Sequence, residues 1–161
     1  MSASSDADGA PPLTDRVQVP DGARLVLATH NAGKLAELRQ ILEPLVPGLD
    51  PRSIVSAGSL GAPEPVENGL SFAANAEIKA RALVRVTGLP AVADDSGLCV
   101  DVLGGAPGIF SARWCGRHGD DAANLDLLLA QLADVPNALR SAAFVSAAVL
   151  VLPDGREFVE R

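Results

Sequence analysis

Residues 24–45 read RLVLATHNAGKLAELRQILEPL and change character twice. The continuous apolar run at 24–29 is typical of a strand that is buried on both faces. After a turn at 30–33, leucine and isoleucine recur at helical spacing, and Pro44 and Pro47 mark the end of that helix. A strand that leads through a short turn into a helix predicts an α/β fold.

The remainder of the chain continues this pattern. A second helix is predicted over 71–86, closed by Gly88, and a third begins at Asp120 or Asp121. The adjacent Asp154 and Gly155 predict a hairpin turn. The predicted strands are 52–56, 90–93, 98–103, 141–152 and 156–160.

The domain organisation follows from length and composition. A chain of 161 residues has room for one domain with a sizeable core. Residues 1–22 are rich in Ser, Asp, Ala and Pro without any period, which predicts a disordered N-terminal tail. We therefore expect one α/β domain over 23–161.

Charge and cysteine content limit the possible functions. The formal net charge is −7 and no Lys/Arg cluster occurs, which disfavours nucleic-acid binding. Only Cys99 and Cys115 are present, without metal-ligand spacing, so a zinc site is not expected. No apolar run approaches the roughly 20 residues of a membrane span, and no secretory signal is recognisable. A soluble cytoplasmic protein is expected, and phosphate binding in it would need a local device such as a metal, a helix start or a lysine.

The turn between the first strand and helix is a candidate phosphate site. Backbone N–H groups at a helix start attract anions, Gly33 allows close approach, and Lys34 adds a charge. The segment is not a Walker A loop, because Leu35 stands where a hydroxyl residue would hold magnesium. The alternative is an ordinary turn with a solvated lysine. The candidate binding residues are Thr29, His30, Asn31, Ala32, Gly33 and Lys34.

A second candidate site lies at Asp94-Asp95-Ser96-Gly97, between two predicted strands. Two adjacent carboxylates are costly to hold together without a cation, and carboxylate oxygens suit Mg²⁺. The alternative is a solvated turn, since Asp, Ser and Gly all form turns. Glu67 could be a third carboxylate or merely a charge near a helix start. Trp114 could stack on a base, but a core position is the safer interpretation.

Together these segments resemble the inosine triphosphate pyrophosphatase family, also called dITP/XTP pyrophosphatases. Five linked motifs carry the resemblance, in order and at sensible spacing over about residues 24–160. They are LVLATHNAGKLAEL at 25–38, ENGLSF at 67–72, NAEIKAR at 75–81, LPAVADDSGL at 89–98 and VLGGAPGIFSAR at 102–113.

The resemblance implies an elongated mixed sheet flanked by helices, with a nucleotide cleft between two lobes, in a homodimer. It implies Mg²⁺-dependent cleavage of ITP, dITP or XTP to the nucleoside monophosphate and pyrophosphate. Carried over by position, residues 29–34 and Lys79 would bind the triphosphate, and Ser96 would contact substrate. Glu67 and Asp95 would bind Mg²⁺ with Asp94 assisting, and Asp95 would be the catalytic base that activates water.

The chain departs from the family pattern near its end. A Gly-Phe-Gly-Tyr-Asp-Pro-like segment and a late Ser-His-Arg, which the family associates with base recognition and phosphate contact, do not occur in the sequence. We therefore expect a domain whose C-terminal part is missing. The alternatives are a non-catalytic nucleotide-binding remnant, an unstable fragment or, as a minor one, a Maf-like pyrophosphatase.

Overall fold

A computed structural model describes residues 16–161. Five strands and four α-helices form the regular secondary structure in this range, and short 3-10 helices connect several of them. The strands are β1 (Leu25–Leu27), β2 (Ile54–Ser56), β3 (Ala91–Val100), β4 (Ala142–Val151) and β5 (Glu157–Glu160). The α-helices are α1 (Ala32–Leu45), α2 (Ala57–Leu60), α3 (Phe72–Thr87) and α4 (Asp121–Gln131). The 3-10 helices span Pro51–Ser53, Asp101–Leu103, Gly108–Arg113 and Asn137–Leu139.

The five strands form one mixed sheet in the order β2-β1-β3-β4-β5. The first three strands run parallel, whereas β4 is antiparallel to β3 and β5 is antiparallel to β4. The parallel pairs are joined through helices and the last pair through the tight turn that contains Gly155, whose φ of +87° lies in the region that glycine tolerates. The predicted α/β fold, a mixed sheet flanked by helices, is confirmed.

Strand β3 differs from the prediction of two strands around an acidic turn. It runs unbroken over Ala91–Val100, so Asp94, Asp95, Ser96 and Gly97 all lie within it. Each of these residues is opposite a residue of β4, and Asp95 is in register with Ala147. The turn interpretation was wrong because local turn preference is weaker than a ladder of hydrogen bonds along a ten-residue partner strand.

Helix α3 packs over one face of the sheet and forms the main core. Its Ala76 and Ala80 are fully buried and let the helix approach the small β3 side chains Ala91 and Ala93 closely. Leu83 is also buried there, and a leucine side chain removed from water contributes about 1.5–3 kcal/mol. The helix begins after Ser71, whose side chain accepts the Ala74 N–H, and ends at Gly88 in the left-handed conformation.

A second, smaller cluster joins α4 to the far end of β3. It consists of buried Val100, Leu128 and Leu132, with Trp114 packed against them. The Trp114 indole N–H also donates to Gln131 Oε1 at 2.8 Å, so its polar edge is satisfied as well. Trp114 thus packs against this cluster, as the core interpretation expects, but it remains partly exposed and borders a cleft.

Helix α1 is less buried than its apolar periodicity predicts. None of its residues is fully buried, and Ile41 and Leu45 are more than half exposed. Arg39 connects the helix to the sheet by donating to the Ile54 carbonyl oxygen at 2.6 Å. This helix therefore lies against the edge of the sheet at β2, where only part of its apolar face is covered.

The predicted tail falls partly outside the described residues, which begin at Arg16. Within its described part, the Val17 N–H donates to the Val86 carbonyl oxygen at 3.2 Å, and the Val17 side chain packs against the main core. Across residues 16–161, every helix is too short or too polar to cross a bilayer.

Candidate active site

The start of α1 is built as a capped helix terminus. The Asn31 side chain accepts the Gly33 N–H at 2.8 Å, and the Asn31 N–H donates to the Thr29 hydroxyl at 3.0 Å. Thr29 itself is buried at the end of the β1 segment. The first turn of the helix carries no acidic residue, so the partial positive charge of the terminus is not neutralised from within. This geometry suits an anion such as a phosphate.

Lys34 connects this helix start to the acidic pair. Its Nζ lies 2.7 Å from Asp94 Oδ2, and both side chains are partly exposed. The lysine ammonium is therefore held beside the candidate phosphate site by an ion pair, while about half of its side chain remains exposed to solvent.

Asp95 is surrounded by donors from α3 and from its own strand. Asn75 Nδ2 donates to Asp95 Oδ2 at 3.0 Å, and the Ser96 N–H donates to Oδ1 at 3.1 Å. Lys79 Nζ lies 3.7 Å from Oδ1. Only 16% of the Asp95 side chain is exposed, so these contacts compensate a largely desolvated carboxylate.

Glu67 reaches the same lysine from the loop that precedes α3. Its Oε1 lies 3.5 Å from Lys79 Nζ. One ammonium, itself only 17% exposed, thus stands within 4 Å of two carboxylates from separate parts of the chain. The cluster of Glu67, Lys79 and Asp95 carries one excess negative charge when all three groups are ionised.

The two adjacent aspartates diverge. Side chains alternate along a strand, so Asp94 points to the α1 side of the sheet and Asp95 to the α3 side, as their contacts with Lys34 and Asn75 show. Within residues 16–161 no three His, Cys, Asp or Glu side chains come together closely enough to hold a metal ion. The structure brings Glu67 and Asp95 together and separates Asp94 from them.

A cleft of about 190 Å³ opens beside the cluster. His30 borders it and its Nδ1 lies 2.7 Å from Glu64 Oε1, which links the phosphate-site turn to the Glu67 loop. Ser96 does not border this cleft but a neighbouring one of about 350 Å³ on the α4 side. The residues around the first cleft are Ala28, His30, Ala57, Pro63, Glu64, Pro65, Glu67, Lys79, Leu83 and His118.

Comparison with known proteins identifies the family. The sequence profile of the Ham1 family matches residues 25–161, which is most of the chain. The chain belongs to the Ham1 family. The predicted family resemblance is thereby confirmed, and every candidate site residue lies inside the matched segment.

Two close relatives of this Ham1-family chain are both described as dITP/XTP pyrophosphatases. A dITP/XTP pyrophosphatase of Streptomyces avermitilis is 63% identical over 136 residues, covering 84% of this chain and 67% of the relative. A dITP/XTP pyrophosphatase of Bifidobacterium animalis subsp. lactis is 60% identical over 134 residues, covering 83% of this chain and 56% of the relative. The chain thus spans between about half and two thirds of the length of these relatives.

Solved structures agree with the architecture. The nucleoside-triphosphatase, or dITP/XTP pyrophosphatase, of Mycobacterium abscessus superposes with a TM-score of 0.75 at 54% identity, over 85% of this chain and 70% of that one. A HAM1 protein of Coxiella burnetii gives a TM-score of 0.74 at 34% identity, over 85% and 68% of the two chains. Sequence identities of 54% and 34% indicate that the chains are homologous, in addition to sharing a fold.

Sequence reasoning missed two participants in this Ham1-family site. Asn75 was quoted within a motif but given no role, although its amide contacts Asp95. Glu64 lies outside the motifs quoted above, although its carboxylate pairs with His30. The sequence does contain a signal for Asn75. Asparagine has a lower helix propensity than the alanines around it, so its presence on the buried face of a helix suggests a specific polar contact.

Proposed function

We propose that this Ham1-family chain hydrolyses non-standard purine nucleoside triphosphates (ITP, dITP and XTP) to the monophosphate and pyrophosphate. One observation carries the proposal: Lys79 Nζ lies within 4 Å of both Glu67 and Asp95, beside a cleft that the helix-start residue His30 also borders. The names of the close relatives support the substrate class.

The triphosphate would lie across the start of α1. Thr29, Asn31 and Gly33 form the capped turn, and Lys34 is held at its side by Asp94. Backbone N–H groups, the helix terminus and one ammonium together favour several phosphate oxygens. The protein as a whole is acidic, with a formal net charge of −7. This local arrangement would bind the substrate's polyphosphate without requiring a basic surface.

Asp95 is proposed as the general base. It would take a proton from a water whose oxygen bonds to the α-phosphorus, while the bond from that phosphorus to the αβ-bridging oxygen breaks. The bridging oxygen leaves with pyrophosphate, and the Lys79 ammonium would stabilise the charge that develops there. In the overall reaction, the nucleoside triphosphate and water give the nucleoside monophosphate, pyrophosphate and a proton.

Glu67 and Asp95 suit Mg²⁺ as the proposed metal. They offer hard carboxylate oxygens with a net negative charge, and Mg²⁺ in such sites takes one or two carboxylates together with substrate phosphates and water. When bound, Mg²⁺ neutralises phosphate charge and makes water more acidic. The resemblance gives Asp94 an assisting role, but its carboxylate contacts Lys34, so we propose that it acts through that lysine.

Pyrophosphate release from ITP, XTP, ATP and GTP tests this function, with Mg²⁺ and with chelator. The proposal predicts strong preference for ITP and XTP, dependence on Mg²⁺, and loss of turnover in Asp95→Asn. Asp126→Asn, an exposed position on α4, is the matched control and should retain wild-type turnover. An Asp95→Asn variant as active as the wild type would contradict the role of Asp95. Binding of Mg–ITP without turnover in the wild type would favour the alternative of a non-catalytic nucleotide-binding protein.

We also propose that the protein works in the cytoplasm as a homodimer, as the family resemblance implies. Light scattering coupled to size exclusion measures the mass directly, and a monomer across the micromolar range would contradict the dimer.

A further inference from the structure

Asn75 is a buried polar side chain of the site whose amide group is hydrogen-bonded at both ends. It lies in the first turns of α3 and is 1% exposed. Its Oδ1 accepts the Gly69 N–H at 2.8 Å, and its Nδ2 donates to Asp95 Oδ2 at 3.0 Å. A buried amide that satisfies one partner at each end is held in a single orientation. Asn75 therefore connects the loop before α3 to strand β3.

The loop packs directly on this amide. A Cβ added at Gly69 would lie 2.6 Å from Asn75 Oδ1 and 2.9 Å from the Ala74 Cβ, so no larger residue fits there without movement. Glu67 is two residues earlier on the same loop. The contact between Gly69 and Asn75 thus fixes the loop from which Glu67 reaches Lys79.

The other end of the amide fixes Asp95. Rotation of a carboxylate about its terminal bond is soft, so its oxygens take up a definite orientation only when donors hold them. Asn75 holds Oδ2, while the Ser96 N–H and Lys79 hold Oδ1. Without Asn75, one oxygen of this mostly buried carboxylate would lose its side-chain donor.

We propose that Asn75 is the positioning residue of the site, which sets the orientation of Asp95 and, through Gly69, the approach of Glu67. This inference rests on the proposed function, because it assigns Asn75 a part in the same reaction. Asn75 acts through the two carboxylates and not on the substrate. Its loss should therefore reduce the rate of the chemical step more than substrate binding.

The variants Asn75→Asp and Asn75→Leu separate the two ends of the amide. Asn75→Asp keeps an oxygen that can accept the Gly69 N–H but replaces the donor to Asp95 by a second carboxylate oxygen. Asn75→Leu removes both bonds at similar volume. The matched control is Asn124→Asp on α4, because Asn124 is also buried and its Oδ1 accepts a backbone N–H, that of Cys115.

Steady-state kinetics with Mg–ITP give the first readout. Both Asn75 variants should lose about 10- to 100-fold in kcat, the usual cost of removing a group that orients a ligating side chain, with KM changed less than about threefold. Asn124→Asp should keep the wild-type kcat. An Asn75→Asp variant with wild-type kcat, or one whose KM rises while kcat stays constant, would overturn the proposal.

Amide hydrogen exchange without metal or nucleotide gives the second readout. Gly69 should stay protected in Asn75→Asp and exchange faster in Asn75→Leu, while the thermal midpoint is recorded for each variant. A merely structural role predicts that kcat follows Gly69 protection and thermal stability, so that Asn75→Asp would be active whenever Gly69 is protected. That result would overturn the orienting role.

The two proposals fail in different ways. A wild-type chain that releases no pyrophosphate contradicts the proposed function, whatever the Asn75 variants do. The bond to Asp95 is still tested in that case, because the side-chain NH₂ protons of Asn75 should exchange slowly in the wild type and faster in Asp95→Ala. Equal exchange in the two proteins would overturn the link between Asn75 and Asp95.

Discussion

Lys34 Nζ lies 2.7 Å from Asp94 Oδ2, across 60 residues of sequence. The pair joins the start of α1 to the middle of β3, on the side of the sheet opposite to Asp95. The two neighbouring aspartates therefore have different surroundings, and we expect them to have different roles. Asp94 holds a lysine beside the phosphate site, whereas Asp95 shares Lys79 with Glu67.

Asp94→Asn should weaken substrate binding more than turnover. The change removes the negative partner of Lys34, so the ammonium loses its orientation although it keeps its charge. We expect KM for Mg–ITP to rise about 2- to 5-fold, because an exposed ion pair contributes up to about 1 kcal/mol, with a modest change in kcat. Steady-state kinetics beside Asp95→Asn measure this. A kcat loss in Asp94→Asn as large as in Asp95→Asn would instead assign Asp94 to the chemical step.

Asn31 allows helix capping and anion binding to be separated. Asn31→Ala removes the acceptor of the Gly33 N–H and should lower the free energy of unfolding by about 1 kcal/mol. Asn31→Asp keeps a good cap but places a negative charge at the proposed triphosphate site. It should therefore unfold like the wild type while its KM for Mg–ITP rises. A KM unchanged in Asn31→Asp would contradict phosphate binding at this helix start.

The ion pair between Arg81 and Glu157 should make stability depend on pH. Arg81 donates two hydrogen bonds to the Glu157 carboxylate, at 2.6 and 2.7 Å, and these bonds lower the pKa of Glu157 below its ordinary value of 4.5. A lowered pKa means that the stabilisation is complete above the unfolded-state value and is lost as the pH falls through the lower folded-state value. Glu157→Gln should thus destabilise the protein at pH 7 but lose its effect in strongly acidic solution.

Thermal unfolding between pH 7 and pH 3 measures this effect. Because half of the Arg81 side chain is exposed, we expect the pair to contribute no more than about 1 kcal/mol at neutral pH, and less at high salt. Glu160→Gln removes a carboxylate of the same strand away from Arg81 and is the control. A difference between wild type and Glu157→Gln that grows as the pH falls below 4.5 would have the wrong sign.

Gly97 should tolerate no side chain. A Cβ at this position would meet the Gly108 carbonyl oxygen, and the Ser111 Oγ at 2.6 Å. The Phe72 ring would lie 3.0 Å away. Overpacking of this kind costs about 1–3 kcal/mol, so Gly97→Ala should lower the midpoint of denaturant unfolding. A variant as stable as the wild type would show that the segment after β3 moves freely.

The order of strands and helices could be predicted because periodicity and caps agree with the fold. Ser71 and Gly88 bracket α3, and Asp120 caps α4, as the sequence indicates. Helix α2, by contrast, has only four residues inside a stretch rich in Pro and Gly. Its cap is a reciprocal pair of serines, Ser56 and Ser59, which resembles ordinary loop composition.

Motifs in the sequence nominate candidate residues for the site but do not give their arrangement. Thr29, Lys34, Glu67, Lys79 and Asp95 were all proposed from motifs, yet motifs do not show which groups share a partner. The separation of the two aspartates depends on β3 being unbroken, and that depends on its pairing with β4 far along the chain. The role of Asn75 likewise appears only when α3, the loop before it and β3 are packed together.

The most direct measurement of the central claim is a double-mutant cycle on Glu67 and Asp95, with pyrophosphate release from Mg–ITP as the readout. If the two carboxylates act as one unit around Lys79, Glu67→Gln, Asp95→Asn and the double variant should lose similar amounts of turnover, because effects within a unit are not additive. Losses that multiply in the double variant, or wild-type turnover in either single variant, would contradict it.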